Sequence, residues 1–451
     1  MKYYFIRPVA ILLMGFTYLI SRFINIPILE NLVSIFALVI VLTFLPFLKS
    51  VPRILISVLL IISVTLFYFG EGFEALIFSF DANAGLLAIF IFVPLISIPI
   101  QEGKYLENLE IIFNYYIKST KQLYLYLKIS LMGIGAVMNL GTIPIMHQLT
   151  NTQSLKEHDL IRIKAFNRGF SLSFLWSPYF VSVALILSFF NISWINLFPF
   201  GVGFALIGLM LGYLFERKTN VKIEMPEVTD KNLVRSAKRK VIQLILIVTM
   251  MTVVTITIEN YVDLSILTII PVVATVTALI WSFIYLTPKQ LAKKLFIYTQ
   301  ERLPKMGNEL SLFIMAGVFG VALLNAGASD WIVYLLEITG ISHVLLLIPI
   351  AGIVIIFLSF IGVHPLITIT AMSMTFSAMP IFADEHLILA LGLLISWMVT
   401  VMSSPLSATN LLVASLANMN SYRVGWKLNG AYSITLWLIY YLFIVVFYFI
   451  F

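Results

Sequence analysis

The chain has 451 residues, of which 61% are hydrophobic and 11% charged; its mean hydropathy is +1.03 and its formal net charge +7. Soluble globules hold their apolar share to about 45–50%, so a water-soluble enzyme or nucleic-acid-binding domain is excluded. Cysteine is absent, which removes disulfides and thiolate metal sites.

Hydrophobic runs long enough to cross ~30 Å of hydrocarbon, about 20 helical residues each, recur along the whole chain. In order, spans are predicted near residues 4–20, 31–48, 54–69, 84–100, 170–190, 195–215, 241–258, 264–286, 308–327, 386–417 and 429–451, eleven crossings in all. The first run has no small-residue cleavage site behind it and reads as a retained span. Two further segments, about 126–150 and 342–380, read as re-entrant hairpins that enter and leave on one side. Two stretches that mix Lys, Glu and aromatic residues, 103–124 and 287–305, read as interfacial helices linking a moving part to a fixed one.

The expected fold is an all-α polytopic membrane protein with about 11 transmembrane helices and two re-entrant hairpins in an inverted-topology repeat, the N-terminus inside. Residues 1–25 form the first transmembrane helix. Repeat 1 covers 26–215, with its hairpin near 126–150 and a broken helix near 170–190. A cytoplasmic linker, 216–240, leads to repeat 2 at 241–451, with its hairpin near 342–380 and a broken helix near 386–417.

Charge placement supports this topology. The loops carrying Lys49 and Arg53, Lys104 to Lys128, Lys156 to Arg168, Arg217 to Lys240, Lys289 to Lys305, and Arg423 with Lys427 all fall on one face; of 28 Lys and Arg only Arg22 falls on the other. Cytoplasmic loops retain Lys and Arg during insertion, so the basic balance reports orientation in a bilayer, expected to be the cytoplasmic membrane, and no nucleic-acid partner.

The hairpins and broken helices carry a repeated signature. "GTIP" at Gly141 and "GVHP" at Gly362 match Gly141 to Gly362 and Pro144 to Pro365 at one offset, 221 residues; Ser177-Pro178 and Ser404-Pro405 follow at an offset of 227. Proline removes an amide donor and glycine admits backbone angles closed to other residues, so a helix opens there and leaves carbonyls and amides without helical partners. In hydrocarbon such groups demand a protein-lined cavity or a ligand. Paired breaks of this kind in an inverted repeat are where secondary transporters bind their substrates and ions. Freed carbonyls suit Na+, and half-helix N-termini suit an anion. Neutral oxygens and amides surround the breaks at Asn139, Thr142, Ser177, Thr368, Ser403, Ser404, Ser407, Thr409 and Asn410. For a single break, a packing kink without ligand contact is the commoner reading; the ordered pairing favours a site. Gly133, Gly135, Gly317 and Gly320 read as close-packing positions.

His364 is the one ionisable side chain this reading places deep, either as a neutral imidazole bonded to a broken-helix carbonyl or as a proton relay. No Walker loop, dinucleotide fingerprint or HExxH pair occurs, so the chain is not expected to be an enzyme and no cofactor is expected beyond Na+ as coupling ion.

Eleven spans, one re-entrant hairpin per half and a broken helix after each hairpin resemble the ion transporter superfamily, and within it most closely the divalent anion:sodium symporters, over about residues 25–451. That family carries Ser-Asn-Thr motifs at hairpin tips and breaks; here only "SSPLSATN", with Ser407, Thr409 and Asn410, is similar to them. The resemblance implies a scaffold domain that dimerises and a transport domain that moves as an elevator. The expected function is secondary active transport of a small organic anion with Na+. Two alternatives stand beside it: a proton-coupled exporter or antiporter using His364, and a non-transporting membrane protein for assembly or lipid handling.

Overall fold

A computed structural model of the chain describes residues 2–24, 26–48, 50–152, 155, 157–217, 220–224, 229–339 and 343–450. Lys49 and Lys156, two of the loop charges above, lie outside the described residues. Among the described residues every regular element is helical, apart from one antiparallel bridge pair, Ser119 with Lys222. Among the described residues ten helical stretches are long and apolar enough to cross a membrane, and the chain is an integral, multi-pass membrane protein. Nine of the eleven expected spans coincide with these stretches and the bent stretch Thr120–Leu149 is the tenth; 264–286 is a shorter apolar helix, Ile266–Ser282, and 170–190 is divided at Ser177-Pro178.

The N-terminal helices α1 (Lys2–Phe23), α2 (Pro27–Phe44) and α3 (Ser50–Phe69) are followed by a short α4 (Gly72–Phe78) and by α5 (Ala84–Phe92), which is apolar on all sides and almost wholly buried. A short α6 (Ser97–Glu102) leads to the amphipathic α7 (Tyr105–Tyr116), which ends before residue 120, so the expected interfacial stretch 103–124 is two elements. Ser119 then caps α8 (Thr120–Met138) by accepting from the Gln122 amide at 3.4 Å. The first hairpin pairs α8 with α9 (Thr142–Leu149).

The first broken helix starts earlier than its hydrophobic run indicates. Its first half, α10 (Asp159–Leu172), carries Arg162, Lys164 and Arg168 and lies almost entirely buried from Ile161 onward; its second half is α11 (Val181–Phe190). Then come α12 (Trp194–Phe215), the long α13 (Lys231–Tyr261) and α14 (Ile266–Ser282). The second interfacial helix, α15 (Pro288–Ile297), opens on a capping box between Thr287 and Gln290 and passes through a π turn (Tyr298–Arg302) into α16 (Gly307–Asn325). A short α17 (Ala328–Thr339) precedes the second hairpin, α18 (Val344–Phe360) with α19 (Pro365–Ser377). The second broken helix is α20 (His386–Ser403) with α21 (Ala408–Leu416), and α22 (Leu428–Ile450) closes the chain.

Contacts in the second half mirror those in the first. The first arm of each hairpin packs on the first half of the broken helix that follows it: α8 on α10, and α18 on α20. The second arms cross over, α9 meeting α21 and α19 meeting α11. Small residues allow this closeness: a Cβ on Gly169 of α10 would stand 2.7 Å from the Lys128 carbonyl of α8, and one on Gly320 of α16 would stand 2.3 Å from Met374 Sδ of α19. Gly135 and Gly317 are close-packing positions as expected, whereas Gly133 faces open space.

Candidate functional site

The two hairpin tips turn by different means. In the first, the left-handed residue is Asn139, at φ +56° and ψ −150°, and its Oδ1 accepts from the Leu140 amide at 2.8 Å. Gly141 has an ordinary φ of −58° and open space where a Cβ would go, so it does not open the helix; Pro144 lies inside α9. In the second tip the turn falls on Gly362 itself, at φ +104°, followed by His364 as N-cap and Pro365 as first residue of α19. The equivalence of Gly141 and Gly362 in sequence is therefore not one of backbone conformation. Gly362→Ala is expected to cost about 1–2 kcal/mol, the steric penalty of a left-handed alanine, while Gly141→Ala is neutral or stabilising by up to about 1 kcal/mol. Melting curves of the two purified variants decide this; equal shifts would reject it.

The serine before each break proline ties the break to its hairpin. Ser177 Oγ donates to the Ala136 carbonyl at 2.8 Å and Ser404 Oγ to the Ser359 carbonyl at 2.9 Å, in both cases a carbonyl in the last turn of the hairpin's first arm. Pro178 and Pro405 follow in the non-helical segments.

Most of the polar groups freed by the breaks already have protein partners. At the first break, Ser182 Oγ donates to the Phe174 carbonyl (2.9 Å) and Trp194 Nε1 to the Trp176 carbonyl (3.0 Å). At the second, the side-chain amide of Asn410 serves the carbonyls of Val401, Met402 and Ser404 at 3.2, 3.0 and 2.8 Å. Ser407 Oγ donates to the Val401 carbonyl and caps α21 by accepting from the Asn410 amide. Ser403 Oγ bonds back to Val399, and Thr409 is buried on α21. Asn167 of α10 donates to Asn410 Oδ1 and to the Met402 carbonyl, tying the first broken helix to the second break. The sequence reading missed Asn167, which lies mid-segment among charged residues.

Two of the expected residues retain unused polarity. Thr142 and Thr368 each stand in the first turn of their hairpin's second arm; both are buried, and the hydroxyl of each makes no hydrogen bond among the described residues. Thr370 and Ser373, further along α19, share this property. His364 uses Nδ1 to accept from the Leu366 amide at 3.2 Å, so it faces a backbone donor and not the broken-helix carbonyl expected.

His364 is also not the only deep ionisable group. Lys128 of α8, Arg162 and Arg168 of α10, and Glu216 just past α12 are all buried, although the charge pattern had placed them in loops. Arg168 bonds Glu216 (2.9 Å), Tyr124 OH (3.2 Å), Asn429 Oδ1 (2.8 Å) and the Leu428 carbonyl (3.0 Å). Lys164 takes the other side of Glu216 at 2.9 Å. Lys128 Nζ donates to the Gly208 carbonyl (2.7 Å) and Tyr432 OH (2.9 Å). This knot binds α8, α10, α12 and α22 at the base of the first hairpin. A hint of it exists in the sequence: Lys164 and Arg168 stand four residues apart, on one face of a helix.

No family model and no curated protein matches the sequence. Among solved structures, the chain is similar to the crystal structure of the YdaH transporter of Alcanivorax borkumensis, described as having an unusual topology, with a TM-score of 0.51 and 12% identity over 81% of this chain and 85% of that one. The two share a fold. At that identity the likeness extends to the path of the helices and to no particular side chain.

Proposed function

We propose that the chain is a secondary active transporter, working as an elevator, which carries a small organic anion with Na+ through the space between the two hairpin tips and the two helix breaks. The observation that carries this reading is the pair Thr142 and Thr368, each in the first turn of its hairpin's second arm and buried with an unbonded hydroxyl. A buried hydroxyl without a partner costs free energy that a bound ligand can recover. Each lies at the start of a half-helix, where backbone amides and the helix dipole favour negative charge. The fold of a known transporter supports the class, and the resemblance of "SSPLSATN" to the motifs of divalent anion:sodium symporters supports Na+ coupling and a small organic anion. The hairpins and broken helices form the moving unit, and the N-terminal helices with α13 and α14 form a scaffold that dimerises. Since Asn410 occupies the carbonyls of the second break, Na+ would reach them only by displacing its amide.

Flux of labelled small carboxylates into proteoliposomes under Na+ or proton gradients tests the proposal. Thr142→Val and Thr368→Val are expected to weaken substrate affinity roughly ten- to a hundredfold, the worth of one buried hydrogen bond to a charged ligand, and to melt at or above the parent because each removes a buried hydroxyl that has no bond without ligand. Parent-like affinity in both variants would remove the site from the tips. Flux driven by protons alone and lost in His364→Gln would point to the proton-coupled exporter, and binding without flux to a non-transporting protein.

A further inference from the structure

A cavity of about 560 Å3 lies between the first hairpin and the scaffold, running from the first break down the outer side of α8. Val137 and Gly133 of α8, Trp176 of the first break and Trp194 at the start of α12 form one wall; Val248 and its neighbours on α13 form the other. Its walls are apolar, and several lining residues, among them Ile129, Ile195, Ile245 and Val253, are exposed on the outer surface, which in a membrane-spanning chain faces lipid. On α13 the lining runs from Val241 to Ile256, about 22 Å at 1.5 Å per residue, longer than one leaflet of ~15 Å.

One end of the cavity is polar and positively charged. Tyr105, which lines it, shares a 2.9 Å hydrogen bond with Tyr285, and Lys240 Nζ donates to Tyr285 OH at 3.2 Å while standing 5.0 Å from both rings. Among the described residues no carboxylate forms an ion pair with Lys240. The first ten residues of α13 also hold Lys231, Arg235, Lys238 and Arg239 and contain no acidic residue. A basic cluster at the point where a helix enters hydrocarbon attracts anionic headgroups.

We infer that this cavity is a binding site for an anionic phospholipid of the surrounding bilayer, with an acyl chain lying along α13 against Trp176 and Trp194 and the phosphate held at Lys240. A lipid seated there lies between the hairpin and the scaffold, where its presence bears on any movement of one against the other. The inference does not depend on the transported substrate.

The test uses the full chain in vesicles of phosphatidylcholine containing phosphatidylglycerol. The protein is extracted and its retained lipid measured by mass spectrometry, and tryptophan fluorescence is followed with chain-brominated forms of each lipid. Phosphatidylglycerol is expected to be enriched over phosphatidylcholine and its brominated form to quench more strongly. Lys240→Gln should lower the enrichment about fivefold, the weight of one basic residue at a membrane surface, and Val248→Phe, which fills the groove, should reduce quenching; Lys289→Gln on α15 should change neither. Equal retention and quenching by the two lipids in the parent protein overturns the proposal even if a variant fails to fold. Full displacement by inorganic phosphate would show a site for soluble anions and overturn it as well, as would parent-like enrichment in both well-folded variants.

Discussion

Glu216→Gln is expected to destabilise the purified protein by about 3–5 kcal/mol, the cost of leaving a buried charge without its partner. The carboxylate stands 2.9 Å from both Arg168 and Lys164; the Arg168 side chain is only 2% exposed, whereas that of Lys164 is 21% exposed and partly served by solvent. The penalty therefore falls mainly on Arg168, with Lys128 nearby carrying no carboxylate partner among the described residues. A built-in comparison is the exposed pair Arg22–Glu30, 3.6 Å apart with side chains 39% and 47% exposed, where Glu30→Gln should cost less than about 1 kcal/mol. Replacing Arg168 and Glu216 together by Met and Gln should recover part of the loss, because the uncompensated charge is gone. Denaturant midpoints of the four proteins measure this. Similar small shifts for Glu216→Gln and Glu30→Gln would mean that the knot is hydrated and that its burial has no energetic consequence.

Asn410→Ala is expected to cost about 2–4 kcal/mol. Its side-chain amide donates to three carbonyls, each of which has one further donor, Ser407 Oγ for Val401, Asn167 for Met402 and the Ser407 amide for Ser404, so the loss is of three buried hydrogen bonds at about 0.5–1.5 kcal/mol each and not of the acceptors' only partners. Water entering the cavity offsets part of that, which keeps the figure below the full sum. Asn410→Asp should be no milder, since a carboxylate would face the same carbonyls. Thr142→Val, by contrast, removes a hydroxyl with no bond to lose and should melt at or above the parent. The two variants thus separate a residue that holds the break together from one free to meet a ligand. Parent-like stability of Asn410→Ala with lost substrate affinity would reverse their roles.

The hairpins and breaks were legible because they depend on local chemistry. The hairpin expected near 342–380 is Val344–Phe360 with Pro365–Ser377, and the second break falls at Ser404-Pro405, where a missing amide and a left-handed glycine act within a few residues of themselves. Local chemistry misled where two residues can do the same job: Asn139 takes the strained turn that the "GTIP" match assigns to Gly141. The first half of the broken helix at Asp159–Leu172 was unreadable as a membrane element, since its charges are those of a cytoplasmic loop.

Composition by itself determined that the chain is helical and embedded in a bilayer, because hydrocarbon offers no water to an unpaired backbone group and only closed structures survive there. Proline, glycine and serine placement marked the second hairpin turn and both helix breaks, while the first hairpin turns on Asn139. Which freed groups stay available to a ligand was decided by tertiary structure alone. Asn167 reaches Asn410 across 243 residues of chain, and Lys128 meets Gly208 and Tyr432 at separations of 80 and 304. A buried polar atom is satisfied or not by whatever stands within about 3 Å of it, and when that partner comes from another helix no pattern along a single sequence records it.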